Sequence, residues 1–292
     1  MTHAFTPPSG QPTLGDADLR AIAAILHEHA GIVIAPGKGS MVQSRLAKRL
    51  RALGLSDYGS YISLLTSDAG QAERKEMISA LTTNVTHFFR ENHHFETLRN
   101  SALPPLLARA RAGGRVRIWS AGSSNGQEAY SIAMVLAEMA SDFARLDIRI
   151  LATDIDPVMI ACGRAGTYES ATVEAVPAAL RRKYFEPTSD GQRVIQPVRD
   201  CVSFRELNLH DPWPMKGRFD IIFCRNVVIY FAPEAQQRLW NRLEATLNPG
   251  GWLFVGHSER VALDGASAFK TAGITTYRLP DAGQTDGGTQ WH

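Results

Sequence analysis

The sequence predicts an α/β protein in two parts: a small all-α N-terminal domain, then a parallel-sheet domain carrying an inserted small antiparallel β-subdomain. Three observations predict it. From Asp16 to about Leu81 the apolar residues recur at helical spacing. From Arg115 onward, short β-branched runs alternate with longer amphipathic ones, the pattern of a parallel sheet flanked by helices. Between about Gly166 and Phe204 that rhythm breaks.

In the first part, Leu19, Ile22, Ile25 and Leu26 fall on one helical face. Gly54 reads as a stop, and Asp57 as the N-cap of the stretch holding Tyr58, Tyr61 and Leu64. In KGSMVQSRLAKRLRALGL, Val42, Leu46, Leu50 and Leu53 form one stripe, while Arg45, Lys48, Arg49 and Arg51 point elsewhere with no acid among them. Such charges form either a solvated face or a docking surface for an acidic partner, and the residues alone leave both open. In the second part, VRIWS, DIRILATDI, FDIIFCRN and GWLFVGHSE read as buried strands, and EAYSIAMVLAEMA and PEAQQRLWNRLEATL as helices. Within the break, VPAALRRKYF reads as a helix and PTSDG as a turn, with RVIQPV and CVSFREL expected to pair as the antiparallel unit. The expected division is a flexible N-terminus (1–14), a helical domain (15–85), a sheet domain (86–280) with its insertion at about 166–204, and a flexible tail (281–292).

A chain of 292 residues fits one large or two modest domains, and 44% hydrophobic with 21% charged residues is ordinary for a soluble globular protein. No apolar run approaches the roughly 18 residues of a membrane span. The polar, Pro-containing start lacks the basic and apolar blocks of a secretory signal. Cys162, Cys201 and Cys224 are odd in number and have no CxxC spacing, which predicts reduced thiols and a cytoplasmic protein.

The strongest local signal is a strand, a glycine loop and a helix: Val116 to Ser120, then AGSSNG, then a helix opening near Gln127. Glycine lets the backbone turn sharply and approach a ligand, and ligands of α/β sheets settle at the carboxyl ends of strands where chain order reverses. The next strand ends in Asp154, whose carboxylate can accept both hydroxyl protons of a ribose. A phosphate-binding P-loop requires a Lys after the last glycine, and none follows Gly126. A dinucleotide fingerprint requires G-x-G-x-x-G, whereas Gly122 and Gly126 stand four apart and Asp154 comes later than the usual 20 residues or so. A methionine-derived sulfonium nucleoside needs no phosphate cradle; Asp154 suits its ribose and Glu128 its amino-acid end. A purely structural turn is the competing reading of the loop.

Four segments together resemble one family, the chemotaxis-receptor protein methyltransferases (CheR): LTTNVTHFFR from Leu81, WSAGSSNGQEAYSIAM from Trp119, ATDID from Ala152 and FDIIFCRNVVIYF from Phe219. LNPGGWLFVGHSE and GIVIAPGKGSMVQSRLAKRLRALGL also resemble it, so the likeness spans about residues 15 to 280. The resemblance implies an S-adenosylmethionine-dependent methyltransferase (Rossmann-like) domain behind the helical one. It implies cofactor contacts at Asn84, Thr86, Arg90, Glu128, Asp154, Asn208, Leu209, Arg225 and Asn226, beside the Gly122 already expected from the glycine loop, with Arg90 and Tyr230 beside the transferred methyl. It also favours docking over a merely solvated face as the role of Arg45, Lys48, Arg49 and Arg51. Relatives usually read S-T-G-E-E-P-Y where this chain has Ser124 to Tyr130, so Gln127 and Ala129 depart from the pattern. Relatives that tether themselves to a receptor's C-terminal peptide carry a longer, Gly-rich turn where this chain has EPTSDGQ, so no tether peptide is expected.

The implied reaction is an in-line displacement in which a receptor glutamate carboxylate takes the sulfonium methyl, leaving a methyl ester and S-adenosylhomocysteine. A glutamate of pKa about 4.3 is ionised at neutral pH, so no strong base is needed and the enzyme's task is alignment. No metal is expected, because His87, His93 and His94 show no companion Cys or acid at ligand spacing. The expected partner is the cytoplasmic helical region of chemotaxis receptors, with no nucleic acid, no membrane insertion and a monomeric enzyme. The alternatives are methylation of another acceptor and a non-catalytic cofactor-binding signalling protein. His257 is assigned no role.

Overall fold

A computed structural model describes residues 12–262 and 267–283. The expected flexible ends fall almost wholly outside them. The chain divides into two compact units, one within Met1–Thr83 together with Tyr230–Ala232, the other within Asn84–Ile229 and Pro233–His292.

The first unit holds α1 (Asp16–Ala30), α2 (Gly39–Leu53), α3 (Tyr58–Thr66) and α4 (Gln71–Leu81). Gly31 and Gly54 end α1 and α2 in the left-handed conformation, and Asp57 caps α3 by accepting from the Ser60 N–H at 2.7 Å. Ile22, Leu26, Val42, Leu46, Leu50, Tyr58, Tyr61 and Met77 are buried together as the core. Leu53, expected in the same stripe, is exposed because it is the last residue of its helix. Residues 230–232 join this unit through a bridge between Ile32 and Phe231 and a bond from the Val33 N–H to the Tyr230 carbonyl.

The second unit opens with α5 (His93–Thr97), which runs through a π-helical stretch (Leu98–Ala102) into α6 (Leu103–Arg111). Next come β1 (Val116–Ala121), α7 (Gln127–Met139), β2 (Ile148–Asp154), α8 (Pro157–Ala165), β3 (Thr167–Tyr168), α9 (Ser170–Val173) and α10 (Ala178–Tyr184). They are followed by β4 (Phe185–Thr188), β5 (Gly191–Val194), α11 (Gln196–Asp200), β6 (Val202–Glu206) and β7 (Phe219–Cys224). The last elements are α12 (Pro233–Thr246), β8 (Leu247–Val255), β9 (Lys270–Gly273) and β10 (Thr276–Arg278). The main sheet has the order β6-β2-β1-β7-β8-β10-β9, parallel except for β10, which runs antiparallel to both its neighbours.

One expected pairing is wrong. RVIQPV and CVSFREL do not pair: β5 lies between β3 and β4 in a separate three-stranded antiparallel sheet, while β6 is the parallel edge of the main sheet beside β2. Val202 and Phe204 alternate with less buried neighbours, so CVSFREL looks like a hairpin strand. Its true partner, β2, lies about 50 residues upstream.

The order places the switch point beside β1, with β2 on one flank and β7 on the other. The carboxyl ends of β1, β2, β7 and β8 therefore gather on one edge, where chain reversals leave room for a ligand.

Candidate active site

β1 runs into a loop whose backbone is left-handed at Gly122 (φ 72°), Ser124 (φ 50°) and Gly126 (φ 91°). A side chain at Gly122 would place its Cβ 2.3 Å from the Val227 methyl, and one at Gly126 would strike the Phe204 ring at 2.8 Å. Ser124, which is not a glycine, is held in that conformation from two sides. Its N–H donates to Asp154 Oδ2 at 2.7 Å, and its hydroxyl to the Asn84 carbonyl at 2.9 Å.

Asp154 closes β2 and is buried, its Oδ1 accepting from the Asp156 N–H at 3.0 Å. Burial pushes its carboxyl up to about 6, against the pull of those N–H donors and helped by the neighbouring Asp156. Asp156 caps α8 through the Val158 N–H and accepts from Asn84 Nδ2 at 2.7 Å. The structure thus brings Asn84, the glycine loop and Asp154 together. The Leu207 N–H donates to the Asp154 carbonyl, which places the segment of Asn208 and Leu209 directly beyond it.

A second constellation lies at the ends of β1 and β7. Glu128, in the first turn of α7, accepts from the Ser120 hydroxyl at 2.6 Å and from Arg225 Nε at 2.7 Å. Arg225 is buried and also donates to the Arg90 carbonyl and to His94 Nδ1, the latter at 3.1 Å. Since Arg225 can only donate, His94 Nδ1 must accept. The proton then sits on Nε2, facing the Thr275 hydroxyl at 2.9 Å. Burial, and then the Arg225 charge, depress His94 to about 3, so it is neutral. Arg90 stands between Phe89 (φ 55°) and Glu91 (φ 57°), two left-handed non-glycine residues. Backbone strain of this kind clusters at ligand-binding sites.

Other predicted residues fall as follows. Thr86 is partly exposed in the segment between Asn84 and Arg90. Asn226 is left-handed (φ 60°) with its Oδ1 buried and unpartnered, as is the Ser123 hydroxyl in the glycine loop. Tyr230 falls in the first unit, ending the 3-10 turn Val228–Tyr230. Cys201 and Cys224 are buried, burial pushing the Cys224 thiol well above its usual range, whereas Cys162 is exposed. His257 is a mostly exposed side chain resting on Glu91.

Glu91 is the acid that the sequence reading of the histidines overlooked. One ligand atom each of Glu91, His93 and His94 lies within 4.8 Å of the others. The Arg225 guanidinium already occupies His94 Nδ1, and a positive charge there opposes a metal ion. Among the residues that sequence reasoning missed, Asp156, Ser124 and Glu259 stand out. Glu259 ends the GWLFVGHSE run, and an acid just past a buried strand is the mark it leaves in the sequence.

On the helical unit, Arg45 is turned inward, donating to the Leu81 and Thr82 carbonyls at 2.9 and 2.7 Å. Arg49 pairs with the buried Glu73 and, at 3.0 Å, with Glu76. Lys48 and Arg51 are exposed.

Residues 17–82 match the CheR methyltransferase all-alpha domain and residues 84–278 the CheR methyltransferase SAM binding domain. The chain belongs to the CheR methyltransferase family. It is similar to a probable chemotaxis protein methyltransferase of Rhizobium etli, 50% identical over 263 residues covering 89% of this chain and 98% of the relative. It is 40% identical to the chemotaxis protein methyltransferases of Salmonella typhimurium, over 91% of both chains, and of Escherichia coli, over 91% and 92%. As a CheR methyltransferase it uses S-adenosylmethionine. The residues at the sheet edge fit that molecule: a glycine cradle with no room for a Cβ, a buried carboxylate able to accept from hydroxyl groups, and unpartnered polar atoms on Ser123 and Asn226.

Proposed function

We propose that this CheR methyltransferase esterifies glutamate side chains in the cytoplasmic helical region of chemotaxis receptors. The carrying observation is the meeting of Asn84, the left-handed glycine loop and buried Asp154 at adjacent strand ends. In this reading the Asp154 carboxylate accepts from the ribose hydroxyls. Glu128 and Arg225 face the methionyl end. The carboxylate of Glu128 offers about four lone-pair sites, of which Ser120 and Arg225 use two, so an ammonium donor has acceptors left. The bound cofactor supplies an activated methyl on a sulfonium. What this chain adds is alignment and exclusion of water. Arg90, held in its strained turn, orients the incoming carboxylate with a planar fork of donors. Thr86, Asn208, Leu209 and Asn226 complete the proposed cofactor contacts, and Tyr230 is carried over on resemblance alone.

Docking rests on the exposed face of α2, now narrowed to Lys48 and Arg51, since Arg45 and Arg49 are engaged within their own unit. β4 and β5 are joined by a turn of only Ser189 and Asp190, which supports the absence of a tether peptide. The proposed enzyme is cytoplasmic and monomeric; no helix among the described residues is long and apolar enough to cross a membrane. The test is transfer of labelled methyl from S-adenosylmethionine to receptor-containing membranes. Base-labile label on receptor glutamates is expected. Base-stable label, or label on small molecules alone, would overturn the proposal.

A further inference from the structure

We infer that Glu259 is a positioning residue for the cofactor pocket, an inference that rests on the pocket reading above. Its side chain is 4% exposed. Oε1 accepts from the N–H groups of Val227 at 2.8 Å and Val228 at 2.7 Å. Oε2 accepts from those of Asn226 at 2.8 Å and Gly256 at 2.6 Å. Four N–H donors thus fill the four lone-pair sites of one carboxylate. The three consecutive N–H groups converge because Asn226 is left-handed, and such a concavity of backbone donors binds an anion. Here the anion comes from the protein's own chain.

The carboxylate is not needed to hold β7 to β8, which are already paired from Ile221 with Trp252 to Cys224 with Val255. It fixes what lies just beyond them. Arg225 immediately precedes the concavity and carries the bond to Glu128. Val227, whose N–H is one of the four, presses its Cγ2 to 2.3 Å from the place a Cβ would occupy at Gly122. Position 256 has to be glycine for this arrangement, because a Cβ there would lie 2.7 Å from the Asn226 nitrogen and 2.8 Å from Glu259 Oε2. Glu259 therefore shapes the glycine loop through Val227 and the Glu128 pair through Arg225, touching neither directly.

The test uses the full chain and calorimetric binding of S-adenosylhomocysteine, well below the melting temperature of each variant. Glu259→Gln keeps the shape but turns an NH2 toward N–H donors. It should raise Kd about tenfold or more, since charge-assisted bonds are lost and donors are left unpaired. Val227→Ala keeps the carboxylate and relaxes the contact on the loop, so a smaller rise of a few fold is expected; it carries the test if Glu259→Gln does not fold. Leu243→Ala, in the buried face of α12, is the stability control and should lower Tm with Kd unchanged. Wild-type Kd in both Glu259→Gln and Val227→Ala overturns the inference, as does an equal loss in Leu243→Ala. A wild-type chain that fails to bind at all overturns the pocket reading itself, a result distinct from either.

Discussion

Replacing Asp154 with alanine separates a ligand-holding carboxylate from a structural one, because the two roles pull stability and affinity apart. In the folded protein the carboxyl titrates at about 6 rather than near 3.8, so keeping it ionised at neutral pH costs the fold about 3 kcal/mol, from roughly two units at 1.36 kcal/mol each. Alanine removes that cost. It also strands the Ser124 and Asp156 N–H donors, at about 1–3 kcal/mol each. The opposing effects nearly cancel, and the ligand-free variant should be less stable at pH 7 by no more than about 3 kcal/mol. Affinity has no such compensation. Losing one to two charge-assisted bonds to ribose hydroxyls should weaken S-adenosylhomocysteine binding about 10- to 100-fold.

The pH dependence supplies a second reading of the same carboxyl. Between about 3.8 and 6 the folded state holds a proton that the unfolded state releases, so the contribution to stability is present below that window and lost as pH rises through it. The deficit of the variant should therefore grow by up to about 3 kcal/mol from pH 7 to pH 4. Wild-type affinity should fall below pH 6, while that of the alanine variant should not respond there. Calorimetry at pH 5 and 7.5, with urea titrations of both proteins at pH 4 and 7, measures all four quantities. A variant binding within twofold of wild type at pH 7.5 would refute the assignment of Asp154 to the ribose.

Gly122→Ala should abolish measurable cofactor binding, because its φ of 72° and the Val227 methyl at 2.3 Å both oppose a side chain; calorimetry checks it. Arg225→Ala leaves Glu128 buried with only the Ser120 hydroxyl and should cost about 3–5 kcal/mol in a urea titration. Lys48→Glu with Arg51→Glu should leave Tm and cofactor Kd unchanged while lowering the rate of receptor methylation. Arg49→Glu, facing the carboxylate of Glu73, should instead lower the stability of the helical unit, seen as an earlier thermal transition.

The parts of the fold that were legible in the sequence are those in which burial writes a continuous apolar run. β1, β7 and the end of β8 are of this kind, as is α7, which is buried almost all round. The helix stops at Gly31 and Gly54 and the cap at Asp57 depend on neighbours within a few residues, and both Gly54 and Asp57 were read correctly. β6 was misplaced because its pattern is local and its partner is not. An edge strand exposed on one side alternates like a hairpin strand, and nothing in Val202–Glu206 names β2 as its neighbour.

The site divides along the same line, between what a side chain is and what it meets. Asp154 and Gly122 could be named as candidates because an acid closing one strand and a glycine following another are visible in the residues themselves. The charges of α2 were not, since the residues that occupy Arg45 and Arg49 sit some 24 to 37 positions further on. Two of four apparently free cations thereby become internal fasteners. Glu259 shows the harder case. Its partners are four backbone N–H groups, which every residue except proline carries, so no residue type marks them. They converge only because Asn226 is left-handed and Gly256 lets the chain pass close by. An acid that binds backbone is therefore recognised by conformation, and conformation at two separated strand ends is a property of the folded sheet.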